Sequence, residues 1–208
     1  MPWLDRFLGL ACPVCGGELD APGVCLACRE KLVPERAGDA VYLGRYRALK
    51  GLVRAAKYRR NRLALRWAAS RLADRARAAG FSPLAVTFVP TFPWRAHLRG
   101  QYAPAELARG IASELGVPFR GLLVRRRYSP SQTRRKDRRR LPQVFAARGS
   151  APSSVFLVDD VLTTGATFRR AAEALFAAGA ERVCGAFLAV ADPGRLLGLP
   201  YNRPRTGR

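Results

Sequence analysis

Two groups of residues in this chain have the types and spacing needed for chemistry. The first is the run VFLVDDVLTTGAT, residues 155–167. Four apolar residues of strand character lead straight into Asp159 and Asp160. Two adjacent carboxylates can accept hydrogen bonds from sugar hydroxyls or face a hydrated divalent cation. Thr163, Thr164, Gly165, Ala166 and Thr167 then open a helix. Small residues at a helix start present backbone N–H groups to an anion, the helix dipole adds attraction, and the threonine hydroxyls add donors. A phosphorylated sugar would satisfy both halves. The plainer reading, Asp and Thr as turn and cap residues, leaves a packing strand with little use for two carboxylates side by side.

The second group is Cys12-x-x-Cys15 and Cys25-x-x-Cys28. Four soft ligands at this spacing suit one tetrahedral zinc, and a filled ligand set is structural, with no open position for catalysis. A pair of disulfides or a redox C-x-x-C are the alternatives. Disulfides fit poorly with the expected cytoplasmic setting, and a redox motif normally opens a helix in a βαβ unit. The fifth cysteine, Cys184, lies in an apolar run and reads as a buried thiol.

The elements that must position these groups follow from hydrophobic period. "AVYLGRY" at 40–46, "LAVTFVP" at 84–90, "LLVRRRY", "SVFLVDD" and "RVCGAFLAV" read as strands. Helical spacing covers the stretch after residue 46, then 62–79, about 103–115 and 166–178, with glycines closing the last three. Strands alternating with helices predict an α/β domain with a mostly parallel sheet covered on both faces. Ligands of such sheets bind beyond the carboxyl ends of the strands, where Asp159 and Asp160 fall. The expected organisation is a cysteine module at 1–38, the α/β domain at 39–200 and a loose tail at 201–208.

The 208 residues carry a formal net charge of +22, with 49% hydrophobic residues. That is enough apolar material for a core. No apolar run is long enough to span a membrane, and no signal peptide is evident. The charge attracts polyanions. It concentrates in residues 125–140, where nine of sixteen are basic, among them Arg134, Arg135, Lys136 and Arg139. Three readings of that segment stand: a solvated loop, a mobile lid over an anionic ligand, or a contact to nucleic-acid phosphates. "KYRRNR" and "WRAHLRGQY" add aromatics among basic residues, which suits stacking on unpaired bases. The lone histidine, His97, reads as a loop residue.

The run 155–167 closely resembles the phosphoribosyl pyrophosphate (PRPP) signature of type I phosphoribosyltransferases. With the cysteine pairs ahead of it, the chain resembles the ComF family, linked to DNA uptake in bacterial competence. "LKGLVRAAKYRRNRLA", "VPTFPWRAHLRGQYAPAELARGIA" and "SPSQTRRKDRRRLPQVFAA" extend the resemblance to about residues 12–190. It implies a type I phosphoribosyltransferase fold behind a zinc ribbon. It also implies ribose hydroxyls on Asp159 and Asp160, the 5′-phosphate on 163–167, and pyrophosphate near Thr91 and Arg95. The basic segment would be a lid, and Mg²⁺ would accompany PRPP. Single-stranded DNA and competence-machinery proteins are the implied partners. Two departures stand out: Thr91-Phe92 replaces the family's Val-Pro, and Gln101-Tyr102-Ala103 replaces its Phe-Asn-Gln. They fall on the pyrophosphate and acceptor sides. Two functions follow from different classes: a phosphoribosyltransferase, or a PRPP-sensing, DNA-binding factor without transfer.

Overall fold

The computed structural model describes residues 10–58, 61–91, 102–126 and 144–204. Five strands form the main sheet: β1 (Glu35–Ala37), β2 (Ala40–Tyr42), β3 (Ala85–Phe88), β6 (Ser154–Leu162) and β7 (Arg182–Val190). Their spatial order is β1-β2-β7-β6-β3. Only β1 runs antiparallel to its neighbour; the other pairings are parallel. β4 (Leu123–Arg125) and β5 (Phe145–Ala147) make a separate antiparallel pair.

β6 and β7 lie at the centre, with near-continuous apolar runs. Val155 to Val158 and Leu188 to Val190 are fully enclosed, as expected for parallel strands buried on both faces. Alternation sorts their side chains. Phe156 and Val158 pack with residues of α2 (Tyr46–Tyr58), α3 (Arg62–Ala78) and α4 (Ala103–Leu115), including Leu49, Leu52, Leu72 and Ile111. Val155 and Leu157 pack on the other face with Phe168, Leu175 and Phe176 of α5 (Ala166–Ala177) and with Phe145 of β5. Each fully buried Leu or Phe contributes about 1.5–3 kcal/mol, so two such layers hold the strand ends firmly.

The three helices expected at 62–79, 103–115 and 166–178 form within a residue of those bounds. α3 begins where the buried Asn61 side chain accepts the Ala64 N–H at 3.0 Å, and α4 ends at Gly116 with φ 69°.

The structure corrects several expectations. The strand at 154–160 continues to Leu162, because β7 supplies partners past the aspartates: Asp159 opposite Phe187 and Val161 opposite Ala189. "LLVRRRY" yields a strand that pairs with β5 outside the main sheet. The cysteine module contains a short helix, α1 (Leu26–Lys31), that no hydrophobic period announces. The boundary at 38/39 falls inside the β1–β2 hairpin, whose first strand belongs to the main sheet. Residues 201–204 do not behave as a tail. Tyr201 is buried, its hydroxyl donates to Leu196 O at 2.7 Å, and its carbonyl accepts the Val183 N–H.

Candidate functional site

The site is built at the carboxyl end of β6. Alternation along a strand sends successive side chains to opposite faces. Asp159 follows Leu157 onto the α5 face, where it lines a small cavity with Thr163, Thr164, Gly165 and Thr167. Its Oδ1 accepts the Asp160 N–H at 2.8 Å. Asp160 follows Val158 onto the opposite face. There its Oδ2 lies 2.8 Å from Nζ of Lys57, in the last turn of α2. Both side chains of that ion pair are half-buried.

This environment disfavours charge on Asp159. Burial pushes its pKa well above 3.8, and the neighbouring Asp160 carboxylate pushes it further; the Asp160 N–H and Lys57 act in the other direction.

The loop is exposed at Thr163 and Thr164. Gly165 takes φ 77° at the N-cap of α5, in the left-handed region that glycine adopts without steric cost. The Ala166 N–H reaches Thr164 Oγ1 at 3.4 Å. The first N–H groups of α5 have no partner within the helix.

Thr91 reaches the same edge of the sheet. Phe88 pairs with Val158, and the Val89 N–H donates to the Val158 carbonyl, so residues 89–91 leave β3 beside the aspartates. Tyr102, at one of the departures from the family pattern, closes over this end. Its hydroxyl donates to Val89 O, and its ring meets Phe88 edge-on at 5.7 Å. Arg95 and the basic residues Arg134, Arg135, Lys136 and Arg139 lie outside the described residues, as does His97. Lys57 is the site residue that sequence reasoning passed over. It was noticed only as part of a basic cluster, and no local signal tells a solvated lysine from one drawn onto a carboxylate.

The cysteines converge. Sulfurs on one tetrahedral zinc, at about 2.3 Å from the metal, lie about 3.8 Å apart. Cys15 Sγ and Cys25 Sγ are 3.7 Å apart, and all four sulfurs lie within 4.8 Å of one another. Backbone N–H groups turn toward the cluster: Gly17 N to Cys15 Sγ and Cys25 N to Cys12 Sγ, each at 3.5 Å. Burial raises the Cys12 thiol, but the backbone N–H groups of Cys15, Cys25 and Val14 more than offset this, leaving it near 7. Cys28 goes the other way, pushed up by burial and by the neighbouring cysteines; it is the convergence of the four sulfurs that fits a metal with thiolate ligands. Cys184 is buried, and burial raises it to about 11.

The module is not a separate body. Cys12, Val24 and Cys28 share the apolar cluster of α2, α3 and α4. A Cβ on Gly51, midway along α2, would sit 2.1 Å from the Pro13 carbonyl oxygen, so the first Cys-x-x-Cys turn lies directly on the helix that carries Lys57.

Comparison with known proteins places these features. Residues 105–202, just under half of the chain, match the model of the phosphoribosyl transferase domain. No curated protein matches the sequence. Among solved structures, the chain is similar to an allosteric regulatory enzyme of purine biosynthesis, at 24% identity and TM-score 0.44. That match covers 65% of this chain and 30% of the other. It is similar to the glutamine PRPP amidotransferase of B. subtilis at 22% identity and TM-score 0.45, over 65% and 30% of the two chains. The adenine phosphoribosyltransferase of Leishmania tarentolae matches at 19% identity and TM-score 0.41, over 77% and 95%. The chain thus spans under a third of the first two proteins. No helix among the described residues is long and apolar enough to cross a membrane. The fold is α/β of the type I phosphoribosyltransferase kind, a mostly parallel sheet with flanking helices, behind a four-cysteine cluster compatible with a zinc ribbon. The matched residues 105–202 include Asp159, Asp160 and the 163–167 loop.

Proposed function

We propose that this chain binds PRPP at the end of β6 and acts as a phosphoribosyltransferase-like protein of the ComF type. One observation carries the reading: Asp159 and the Thr163–Thr167 loop border one small cavity at the carboxyl edge of a central parallel strand. Asp159 and Asp160 accept the ribose hydroxyls. The loop N–H groups and the hydroxyls of Thr163, Thr164 and Thr167 hold the 5′-phosphate. Thr91 falls on the pyrophosphate side; Arg95, Arg134, Arg135, Lys136 and Arg139, which lie outside the described residues, are the expected further positive charges for that group. An acceptor then attacks the sugar C1 as pyrophosphate departs. A divalent cation such as Mg²⁺, when bound with PRPP, would supply neutralisation of the leaving charge.

Calorimetry with Mg²⁺ and PRPP tests the site. Replacing both Asp159 and Asp160 with Ala should abolish binding while the fold, followed by circular dichroism, persists. Unchanged affinity in the double variant would sink the ribose assignment.

The four cysteines would hold Zn²⁺ as a structural centre in a cytoplasmic setting, where thiols stay reduced.

A second reading keeps PRPP binding but omits transfer, with DNA uptake and transformation as the setting and competence-machinery proteins as partners. Arg47, Lys50 and Arg54 favour it. They are exposed along one face of α2, a helix with no acidic residue, and such a stripe suits the phosphates of single-stranded DNA. Pyrophosphate release, screened across nucleobases and single-stranded DNA, separates the two readings.

A further inference from the structure

Arg47, Lys50, Arg54 and Lys57 recur at helical spacing along one face of α2. The first three are exposed, whereas Lys57 is half-buried with its ammonium 2.8 Å from Asp160 Oδ2. Lys57 also lies outside the segment that matches the phosphoribosyl transferase domain. An exposed lysine with a long flexible stem gains little from a surface ion pair. A partly desolvated pair is different: taking either partner away leaves a charge stranded where water is scarce. The pair therefore sets the direction of the Asp160 carboxylate.

A carboxylate has two oxygens and about four lone-pair sites. Lys57 on Oδ2 leaves Oδ1 for a sugar hydroxyl. A lysine at this place also adds a fixed positive charge beside the position that the reading above gives to the ribose. In a partly water-excluded site such a charge acts on an anionic ligand more strongly than in bulk water. α2 is held from the other side as well. Gly51 lies against the Pro13 carbonyl, and Leu49, Leu52, Val53 and Ala56 are packed in the core. The base of the Lys57 side chain is thus on a rigid element, which is what a positioning group requires.

We propose that Lys57 is a positioning residue of the PRPP site: it holds the Asp160 carboxylate oriented for the ribose, and it supplies beside the sugar part of the positive charge that a divalent cation would otherwise provide. The proposal rests on the PRPP reading above.

The test is PRPP binding by calorimetry across a Mg²⁺ series, on the full chain and four variants (Lys57→Met, Lys57→Arg, Asp160→Asn, and Lys57→Met with Asp160→Asn), with folding followed by thermal melting. In Lys57→Met, PRPP affinity should fall by about tenfold or more, and its dependence on Mg²⁺ should become steeper than in the native chain. Lys57→Arg, which keeps the charge, should restore most of the affinity and the native Mg²⁺ dependence. Because Lys57→Met strands the Asp160 carboxylate, Lys57→Met is also made in an Asp160→Asn background. There the added loss should shrink to about twofold, since the partner has gone. Equal affinity and equal Mg²⁺ dependence in Lys57→Met would overturn the proposal. So would tighter PRPP binding, which would mean that Lys57 competes with the sugar. A native chain that binds no PRPP at any Mg²⁺ concentration would overturn the PRPP reading itself, and this proposal with it. PRPP binding that ignores Lys57 overturns only the latter.

Discussion

Asp159 occupies a position where its negative charge is unfavourable. Burial, and then the Asp160 carboxylate, hold its pKa above the usual value, while Lys57 and the Asp160 N–H oppose them. The sign of the pH effect follows. An acid whose folded pKa exceeds its unfolded value contributes stability that is fully present below the unfolded value, near 3.8, and is lost as pH rises through the folded one. Asp159→Asn keeps an oxygen for the Asp160 N–H and removes the charge. This variant should melt above the native chain at about pH 7, with the gap closing toward pH 4; each kcal/mol relieved corresponds to roughly 2–4 °C. It should also lose PRPP affinity. Melting curves over that pH range, paired with calorimetry, check both outcomes, and a variant that melts lower at neutral pH would refute the burial argument. Residue types and order made this pair legible: an apolar run ending in two carboxylates and a Thr-Thr-Gly loop is a chemical statement at the level of sequence. The division of labour within the pair was not. Strand alternation sends one carboxylate to the loop and the other to α2, and the identity of the group waiting there depends on a helix about a hundred residues away.

At the scale of elements, long periodic segments declared themselves, whereas short strands did so unevenly: β2 and β4 were legible as strands in AVYLGRY and LLVRRRY, but β1, β5 and the pairing of β4 were not. α3, α4 and α5 each present several turns of apolar spacing, so their bounds could be read closely. β1, β4 and β5 have three residues each. Three residues carry almost no period, and β4 finds its partner only across a long stretch of chain. The contact between the cysteine module and α2 was equally hidden. Glycine in a helix interior is normally a weakness that alanine would repair by roughly 1 kcal/mol. At Gly51 the opposite should hold, because the new methyl would collide with the Pro13 carbonyl. Gly51→Ala should destabilise the protein by roughly 1–3 kcal/mol, as overpacking does, and should speed loss of zinc to a chelator. Thermal melting and metal release followed by a colorimetric chelator measure the two effects. A variant as stable as the native chain, with the same release rate, would show that the module is only loosely seated.

For the molecule as a whole, the net charge of +22 is the dominant property. On the second proposed reading, single-stranded DNA should bind with a strong salt dependence, each phosphate contact contributing a slope of about 0.7 in log affinity against log salt. Replacing Arg47, Lys50 and Arg54 together with Ala should lower that slope by roughly 2, while PRPP affinity changes little. Titrations at several salt concentrations test this, and an unchanged slope would remove α2 from the polyanion surface. The sequence by itself determined the α/β class, the three long helices, the ligand-grade cysteines and the strand–carboxylate–loop unit. These rest on local period, local spacing and residue chemistry, which need no tertiary partner to be recognised. Only the tertiary structure decided that the four sulfurs meet, that the cysteine module shares its core with α2, that Tyr201 is buried, and that Lys57 leaves the solvated stripe of its neighbours to pair with Asp160. Each of these is a contact between distant segments, set by how the layers pack on the sheet, and the residues on either side of it look ordinary when read alone.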